Sequence, residues 1–421
     1  MSYLYQELER RVAEWRDRGY ETAGFPAIAE ILQYARDEDG TLRFLRRAQL
    51  TALETYWYLR VELGTPTIPQ LYEQLFPKSR DRIAAMGISE RLFGEVDFDF
   101  DTLTQRIRTD NAFVRANQLE SLRETLTLNY PSYILALAMG AGKTILMGAI
   151  AATEFAMAQE YPEGPFVKNA LIFAPGKTII ESLREIADMP FASILPPRLH
   201  GPFAATLKLT FTRDGEKELP VVWGSFWNLI VTNTEKIRIQ KSNRKRNANQ
   251  LLLALTGQED HDADIANLRL QAIASLPHLA VFSDEAHHTY GQKLLGKWEK
   301  SGEDGALEFK EQGIKKVRRT VDYLAQETNL MVVVNTTGTP YFERQPLRDV
   351  VTWYSLGQGI ADGVLKPLAD NIQVFDLDDA EADHLVEHVV RDFVSTYWSV
   401  ALPDGSPARL ALYFPNTDAL D

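Results

Sequence analysis

Two short groups of residues in this chain could together bind and hydrolyse a nucleotide. The first is Leu-Ala-Met-Gly-Ala-Gly-Lys-Thr at 137–144, and the second is Val-Phe-Ser-Asp-Glu-Ala-His-His at 281–288. Glycines let a backbone wrap closely around phosphate oxygens, and N–H groups converging at a helix N-terminus favour negative charge. An Asp-Glu pair after a buried strand can hold Mg²⁺ and activate water. Their order predicts a nucleotide-hydrolysing site.

The side chains of the two groups each suit one role in that chemistry. Lys143 would neutralise the β and γ phosphates, and the Thr144 hydroxyl would bind Mg²⁺. The Asp284 carboxylate would be the second protein ligand of the ion, and Glu285 would orient and deprotonate the attacking water. The predicted cofactors are therefore ATP and Mg²⁺. The residues predicted to contact the nucleotide in the first group are Gly140, Ala141, Gly142, Lys143 and Thr144.

The elements around these groups are those that such a site requires. Apolar runs at 133–137 and 145–152 flank the glycines, which places them where a buried strand turns into a helix. Short apolar runs then alternate with helical patterns, a rhythm typical of βαβ units and a parallel sheet. Ligands of such sheets bind at the carboxyl ends of the strands, where both groups fall. The predicted strands span residues 134–137, 170–173, 229–232, 279–282 and 330–334.

The chain divides into several predicted domains. Residues 1–105 have apolar positions at helical spacing and predict a mainly helical accessory domain. A first α/β domain is predicted at 106–345, with a β-hairpin insertion at about 204–224 marked by an alternating strand and an Asp-Gly turn. Residues 346–368 are predicted to form a linker, and 369–421 to begin a second parallel sheet, with strands at 371–375 and 410–414 and a helix at about 380–398 between them.

Composition limits the classes of function. With 421 residues, 45% of them hydrophobic, the chain can bury large cores and is expected to form two to three domains. Zero cysteines exclude disulfides and cysteine-ligated zinc. No apolar run approaches the roughly 18 residues of a membrane span, so a cytoplasmic location without membrane contact is predicted. The net charge of −13 argues against coating of nucleic acid by a basic surface but is compatible with a motor.

Taken in order, these groups resemble the motifs of superfamily 2 helicases and translocases. Within them, the chain is most similar to the ATPase part of the Res subunit of type III restriction enzymes and to its DEAD/DEAH relatives. Asp-Glu-Ala-His at 284–287 matches the DEAH box, and Thr-Gly-Thr-Pro at 337–340 matches a further motif with Gly338 in place of alanine. Leu137 replaces the first glycine of the full phosphate loop, a departure that this superfamily often shows. The run at 354–367 is similar to the segment leading into the second motor domain of restriction-type enzymes.

The resemblance implies roles for further residues. Gln118 would read the adenine edge, and His287, Thr337 and Thr339 would couple the nucleotide state to the grip on a nucleic-acid strand. Hydroxyls and amides at strand ends can bind phosphate oxygens without reading bases, which suits a motor that moves over any sequence. The nucleic-acid contacts implied in this way are Pro175, Lys177, Thr232 and Asn233.

The function implied by the resemblance is that of an ATP-dependent DNA helicase or translocase. Its first RecA-like domain would be followed by the beginning of a second, with the arginine-finger motifs not reached by residue 421. The implied partners are DNA, single- or double-stranded, and a methyltransferase or specificity subunit. No nuclease is recognisable, because Glu-Phe-Lys at 308–310 is predicted to lie in a charged helical stretch. Two alternatives remain: a nucleotide-binding DNA sensor or assembly subunit with little turnover, and an RNA helicase, since both nucleic acids present the same phosphate backbone.

Overall fold

A computed structural model divides the chain into two compact units, Met1–Leu365 and Lys366–Asp421. The residues that it describes are 3–97, 99–174, 183–212, 219–233, 236–237, 239–241, 264–266, 268–284, 297–301, 306–310, 315–342, 345–366, 382–400, 405–407 and 410.

The first unit is built on a seven-stranded parallel sheet. Its strands are β1 (Ser132–Leu137), β2 (Asn169–Ala174), β3 (Lys208–Phe211), β4 (Asn228–Asn233), β7 (Leu279–Ser283), β10 (Leu330–Thr337) and β13 (Val350–Tyr354). Their order across the sheet is β13-β1-β10-β7-β2-β4-β3. Every neighbouring pair is parallel, as in the register that sets Ser132 beside Val333.

The predicted α/β class and parallel sheet are confirmed. All five predicted strands are present, each within three residues of its predicted ends. Central strands of a parallel sheet are buried on both faces, so they are encoded by continuous apolar runs. The burial of all the residues of β1, β4 and β7 follows that rule.

Among the described residues, three antiparallel pairs of short strands accompany the sheet. They are β5 (Ile239–Lys241) with β6 (Asp264–Ala266), β8 (Lys297–Ser301) with β9 (Ala306–Lys310), and β11 (Tyr341–Phe342) with β12 (Gln345–Pro346). The second pair corrects the sequence prediction, because Glu-Phe-Lys at 308–310 lies in a strand and not in a helix.

Helices precede the sheet and connect its strands. Before β1 they are α1 (Leu4–Asp17), α2 (Ala27–Tyr34), α3 (Arg47–Trp57), α4 (Ile68–Leu75), α5 (Ser79–Ala85), α6 (Glu90–Gly94), α7 (Phe100–Thr109), α8 (Asn111–Ala116) and α9 (Glu120–Leu126). Further along are α10 (Lys143–Glu160), α11 (Pro197–Thr206), α12 (Leu268–Ala274), α13 (Lys315–Glu327), α14 (Leu356–Ala361) and α15 (Ala382–Thr396). A π-helical turn, Tyr58–Glu62, continues α3, and 3₁₀ turns occupy Arg184–Asp188 and Phe191–Ser193.

The N-terminal helices and the sheet share one hydrophobic core. Helices α1 and α3 pack against the edge strand β13, and α3 also packs along α10. The aromatic side chains of α3, Tyr56 and Trp57, are fully buried. One hydrophobic core contains residues of both predicted ranges, 1–105 and 106–345, and both ranges lie in the first compact unit.

Two further predicted segments, 204–224 and 346–368, contain strands of the seven-stranded sheet. Strand β3 pairs in parallel with β4 as the edge of the sheet, whereas the sequence predicted half of an inserted hairpin at 204–224. An edge strand is partly exposed, and this explains an alternating pattern that resembles a hairpin. The predicted linker at 346–368 contains β13 and α14, both within the first unit, because β13 completes the sheet beside β1.

The second unit contributes α15, which confirms the helix expected there. The strands predicted at 371–375 and 410–414 lie outside the described residues, except for Leu410. In the part of the chain that the structure describes, no helix has the length and apolar character that crossing a membrane requires.

Candidate functional site

The glycine loop, residues 138–142, connects β1 to α10 at the carboxyl edge of the sheet. Gly140 and Gly142 have φ values of 78° and 86°, in the left-handed region that glycine adopts without steric cost. Gly142 caps α10, and the Ala141 N–H donates to the Ala138 carbonyl over 3.1 Å, which closes a tight turn. The loop therefore leads directly into the N-terminus of an 18-residue helix, where backbone N–H groups remain available to an anion.

The Asp284 carboxylate lies at the same edge, directly after β7. It is 8% exposed, and the Thr336 hydroxyl of β10 donates to it over 2.8 Å. The Asp284 N–H donates to the Phe173 carbonyl of β2 over 3.0 Å. Strand β10 lies between β1 and β7. The hydrogen bond from Thr336 therefore links Asp284, which follows β7, to the strand beside the one that leads into the glycine loop.

The turn after β10 approaches the glycine loop closely. A Cβ atom built on Gly338 would lie 3.4 Å from the Lys143 ammonium nitrogen and 3.1 Å from Met139 Cγ. Within this turn the Thr339 N–H donates to the Thr337 hydroxyl over 3.1 Å. Gly338 therefore lies where the turn approaches the lysine, and a side chain there would be tightest against Met139.

The segment that follows β13 also contacts the loop. The Ala138 N–H donates to the Tyr354 carbonyl over 3.0 Å, and Leu365 would be 3.5 Å from a Cβ on Gly140. The Tyr354 hydroxyl donates to Asp362 over 3.0 Å, and burial, aided by this acid, raises the pKa of the tyrosine. The run at 354–365 thus forms one wall of the site, a placement that the sequence did not predict.

Two side chains from α3 reach the loop, and sequence reasoning missed both. Arg46, the residue before the helix, donates to the Gly140 carbonyl over 2.7 Å, and Gln49 donates to the Gly142 carbonyl over 2.9 Å. The partners are 94 and 93 residues apart in the chain. A hydrogen bond to a backbone carbonyl requires no particular partner side chain, so no sequence pattern marks it.

Of the other predicted site residues, Gln118 is described by the structure and four lie outside the described residues. Gln118 lies in the turn between α8 and α9 with a left-handed φ of 53°, and its side chain is exposed. Glu285, His287, Pro175 and Lys177 lie outside the residues that the structure describes.

The two predicted nucleic-acid contacts on β4 are buried. The Thr232 hydroxyl is hydrogen-bonded to the Thr212 hydroxyl over 2.9 Å, and the Asn233 carbonyl oxygen Oδ1 accepts from the Lys236 N–H over 3.0 Å. Both side chains are fully buried. These groups are hydrogen-bonded at the end of β4, and their contact with a nucleic-acid strand stays a prediction.

The described cluster unites four kinds of group. All of them lie at one edge of the sheet: the backbone N–H donors at the start of α10, the Lys143 ammonium, the Thr144 hydroxyl and the Asp284 carboxylate. Amides and an ammonium bind phosphate oxygens, while a hydroxyl and a carboxylate are oxygen ligands of the kind that Mg²⁺ prefers. Such a set could hold a phosphate chain together with a divalent cation.

A scan against protein-family models and a search of curated proteins found no match to this chain. The assignment of function therefore depends on the residues and contacts described above.

Proposed function

We propose that this chain is an ATP-hydrolysing motor of superfamily 2 that moves on DNA and is related to the Res subunit of type III restriction enzymes. The observation that carries the proposal is the approach of the Gly338 turn to Lys143, next to the glycine loop. It joins the phosphate-binding loop to the turn that, in this superfamily, couples nucleotide state to grip on a strand. The all-parallel sheet is compatible with a RecA-like domain.

The residues present fit ATP and Mg²⁺. Gly140 and Gly142 provide backbone conformations that let amides approach phosphate oxygens, and Lys143 would bind the β and γ phosphates. Thr144 and Asp284 would hold Mg²⁺, which supplies positive charge against the phosphates when it is bound. The Thr336 hydroxyl keeps the Asp284 carboxylate oriented toward this edge through its hydrogen bond.

The chemical step is assigned to residues of this chain. Glu285, which follows Asp284 directly, would take a proton from water as it attacks the γ phosphate. Lys143 would stabilise charge that develops on the phosphate oxygens. Release of the γ phosphate would then change the position of the turn at 337–339, because Gly338 lies close to Lys143, the residue that held the phosphate.

The experiment is ATP hydrolysis by this chain with and without single-stranded DNA, double-stranded DNA and RNA. The matched variants are Lys143→Ala and Glu285→Gln, with nucleotide binding measured alongside. DNA-stimulated hydrolysis that both variants lose supports the motor. Stimulation by RNA alone would replace DNA by RNA as the substrate. Binding without turnover in the wild type would favour a sensor, and absence of ATP binding would refute the proposal.

A further inference from the structure

The start of α3 is attached to the backbone of the glycine loop by a chain of three hydrogen bonds. The Arg46 N–H donates to the Gln49 side-chain oxygen over 2.7 Å, and the Gln49 nitrogen donates to the Gly142 carbonyl over 2.9 Å. The Arg46 guanidinium donates to the Gly140 carbonyl over 2.7 Å. Because both ends of the Gln49 amide are bonded, its orientation is fixed.

These bonds fix peptide orientations that a phosphate would need. In a trans peptide the C=O and the following N–H point in opposite directions, so holding the carbonyl determines where the amide points. The Gly142 carbonyl accepts from Gln49 and from the Leu146 N–H at 3.1 Å, which fills both of its lone pairs. The Lys143 N–H, on the other side of this peptide, is therefore aimed out of the helix N-terminus.

The Gly140 peptide is held in the same manner. Arg46 binds its carbonyl from outside the loop, while the Ala141 N–H of the same peptide is engaged in the turn with Ala138 at 3.1 Å. Left-handed glycines have many alternative conformations, and such bonds restrict them before a ligand arrives. The loop is thus preorganised by side chains that bind its carbonyl oxygens.

Helix α3 is a rigid support for these two side chains. At its far end, the Trp57 indole N–H donates to the Thr153 hydroxyl over 3.2 Å, and Tyr56 and Arg60 bind the Glu154 carboxylate over 2.5 and 2.6 Å. From Gly142 to Glu154 is about 18 Å of helix, and from Gln49 to Arg60 is about 16 Å. The two helices therefore run side by side in the same direction, joined at both ends.

We propose that Arg46 and Gln49 are positioning residues for nucleotide binding, so that α3 belongs to the nucleotide site rather than to an accessory region. This inference rests on the proposed ATP-binding function. Arg46 is exposed, so its side chain does not contribute to the hydrophobic core. Its guanidinium also places a positive charge beside the glycine loop. Loss of either side chain frees the loop backbone and lowers the affinity for the triphosphate.

The test compares MgATP dissociation constants and steady-state kinetics of the full chain and of four variants. Arg46→Ala and Gln49→Leu are expected to weaken MgATP binding about ten-fold each, as one strong hydrogen bond per carbonyl is lost. Arg46→Lys keeps the charge and one donor and is expected to recover part of that loss. Arg10→Ala, an exposed arginine on α1 that pairs with Glu7 and Glu14, is the matched control and should bind as the wild type does.

Two readouts separate positioning from general stability. KM should rise more than kcat falls, because neither side chain touches the reacting atoms, and the melting temperature of the nucleotide-free Arg46→Ala variant should match that of Arg10→Ala. Gln49 is buried, so Arg46→Ala alone decides the matter if Gln49→Leu fails to fold. The inference is overturned if the wild type binds MgATP and Arg46→Ala binds it with the same affinity. A wild type that binds no MgATP, with Lys143→Ala indistinguishable from it, instead overturns the proposed function and with it the inference.

Discussion

The Asp284 carboxylate depends on a neighbouring strand for its position. Thr336 lies one residue before the turn that the sequence singled out, and successive side chains of a strand point to opposite faces. It therefore falls on the face toward α10, where its hydroxyl reaches both Asp284 and the Met147 sulfur. The sequence identified Thr337 and Thr339 but gave no reason to select Thr336.

Thr336→Val removes this hydroxyl while keeping the shape of the side chain. We expect a loss of about 1–2 kcal/mol in stability, because a buried carboxylate loses a hydrogen bond, and a higher Mg²⁺ requirement for ATP hydrolysis. Thr336→Ser should restore both quantities in part. Magnesium titrations of the hydrolysis rate and urea unfolding of the three proteins check this. Equal Mg²⁺ requirements in the wild type and Thr336→Val would show that the hydroxyl does not position the acid.

Asp349 is a buried acid where the N-terminal helices meet β13. Burial raises its pKa to about 6, opposed by a hydrogen bond with the Thr125 hydroxyl. Its Oδ2 atom has no hydrogen-bond partner within the described part of the chain. Because the folded pKa exceeds that of the unfolded chain, folding favours the protonated form. The stabilisation is complete below about pH 4 and is lost as the pH rises toward 6.

Asp349→Asn should remove this pH dependence. A pKa shift of about 2 units corresponds to ~3 kcal/mol, so the variant should gain up to that amount over the wild type at pH 8 and almost nothing at pH 4. Denaturant unfolding at pH 4, 6 and 8 measures the difference, with Asp188→Asn as a control at an exposed carboxylate. A gain that is the same at all three pH values would contradict the assignment.

Among the elements, the pair formed by α3 and α10 contains a buried ion pair. Arg60 is 2% exposed and Glu154 is 0% exposed, with 2.6 Å between them. The Glu154 carboxylate also accepts from the Val167 N–H over 2.8 Å, and Arg60 donates to the Pro165 carbonyl over 2.6 Å. Such a pair is tolerated because its remaining polar atoms are hydrogen-bonded.

Arg60→Met should destabilise the protein by about 3–5 kcal/mol, because Glu154 becomes an uncompensated buried charge. Adding Glu154→Gln to this variant should recover part of the loss, since the neutral amide can accept from the Val167 N–H with its oxygen and donate from its nitrogen to the Tyr56 hydroxyl oxygen. Equilibrium urea unfolding provides the comparison, with Arg10→Ala as the exposed control, for which we expect less than about 1 kcal/mol. A cost for Arg60→Met as small as that of the control would mean that the pair is not a structural link between the helices.

The sequence predicts strands that are buried on both faces of the sheet, but it does not predict which elements pack against each other. Strands β7 and β10 were identifiable because their apolar runs are encoded locally. The strand β13 has the same local signal, Val-Val-Thr-Trp-Tyr, although it lies within the predicted linker at 346–368. For α3, the helical pattern predicts a buried face but not which helix covers it, so the contact with α10 could not be foreseen.

At the scale of the whole molecule, the candidate site combines parts that the sequence predicted with parts that only the fold supplies. The glycines and Lys143 are consecutive and define their own geometry, and a parallel sheet brings Asp284 to the same edge. Arg46 and Leu365, which also lie against the glycine loop, come from segments far before and far after the loop in the sequence. Such contacts follow from the packing of complete elements, which no local pattern encodes.

The position of β1 within the sheet has a consequence for protein synthesis. Its two neighbours are β10 and β13, whose paired residues lie more than 200 positions further along the chain, so every strand pairing of β1 is long-range in sequence. While the chain emerges from the ribosome, β1 has no pairing partner until β10, which ends at Thr337, has left the exit tunnel. Nascent chains stalled before that point should remain sensitive to protease around the glycine loop, and this vulnerable interval makes the region a natural client for chaperones.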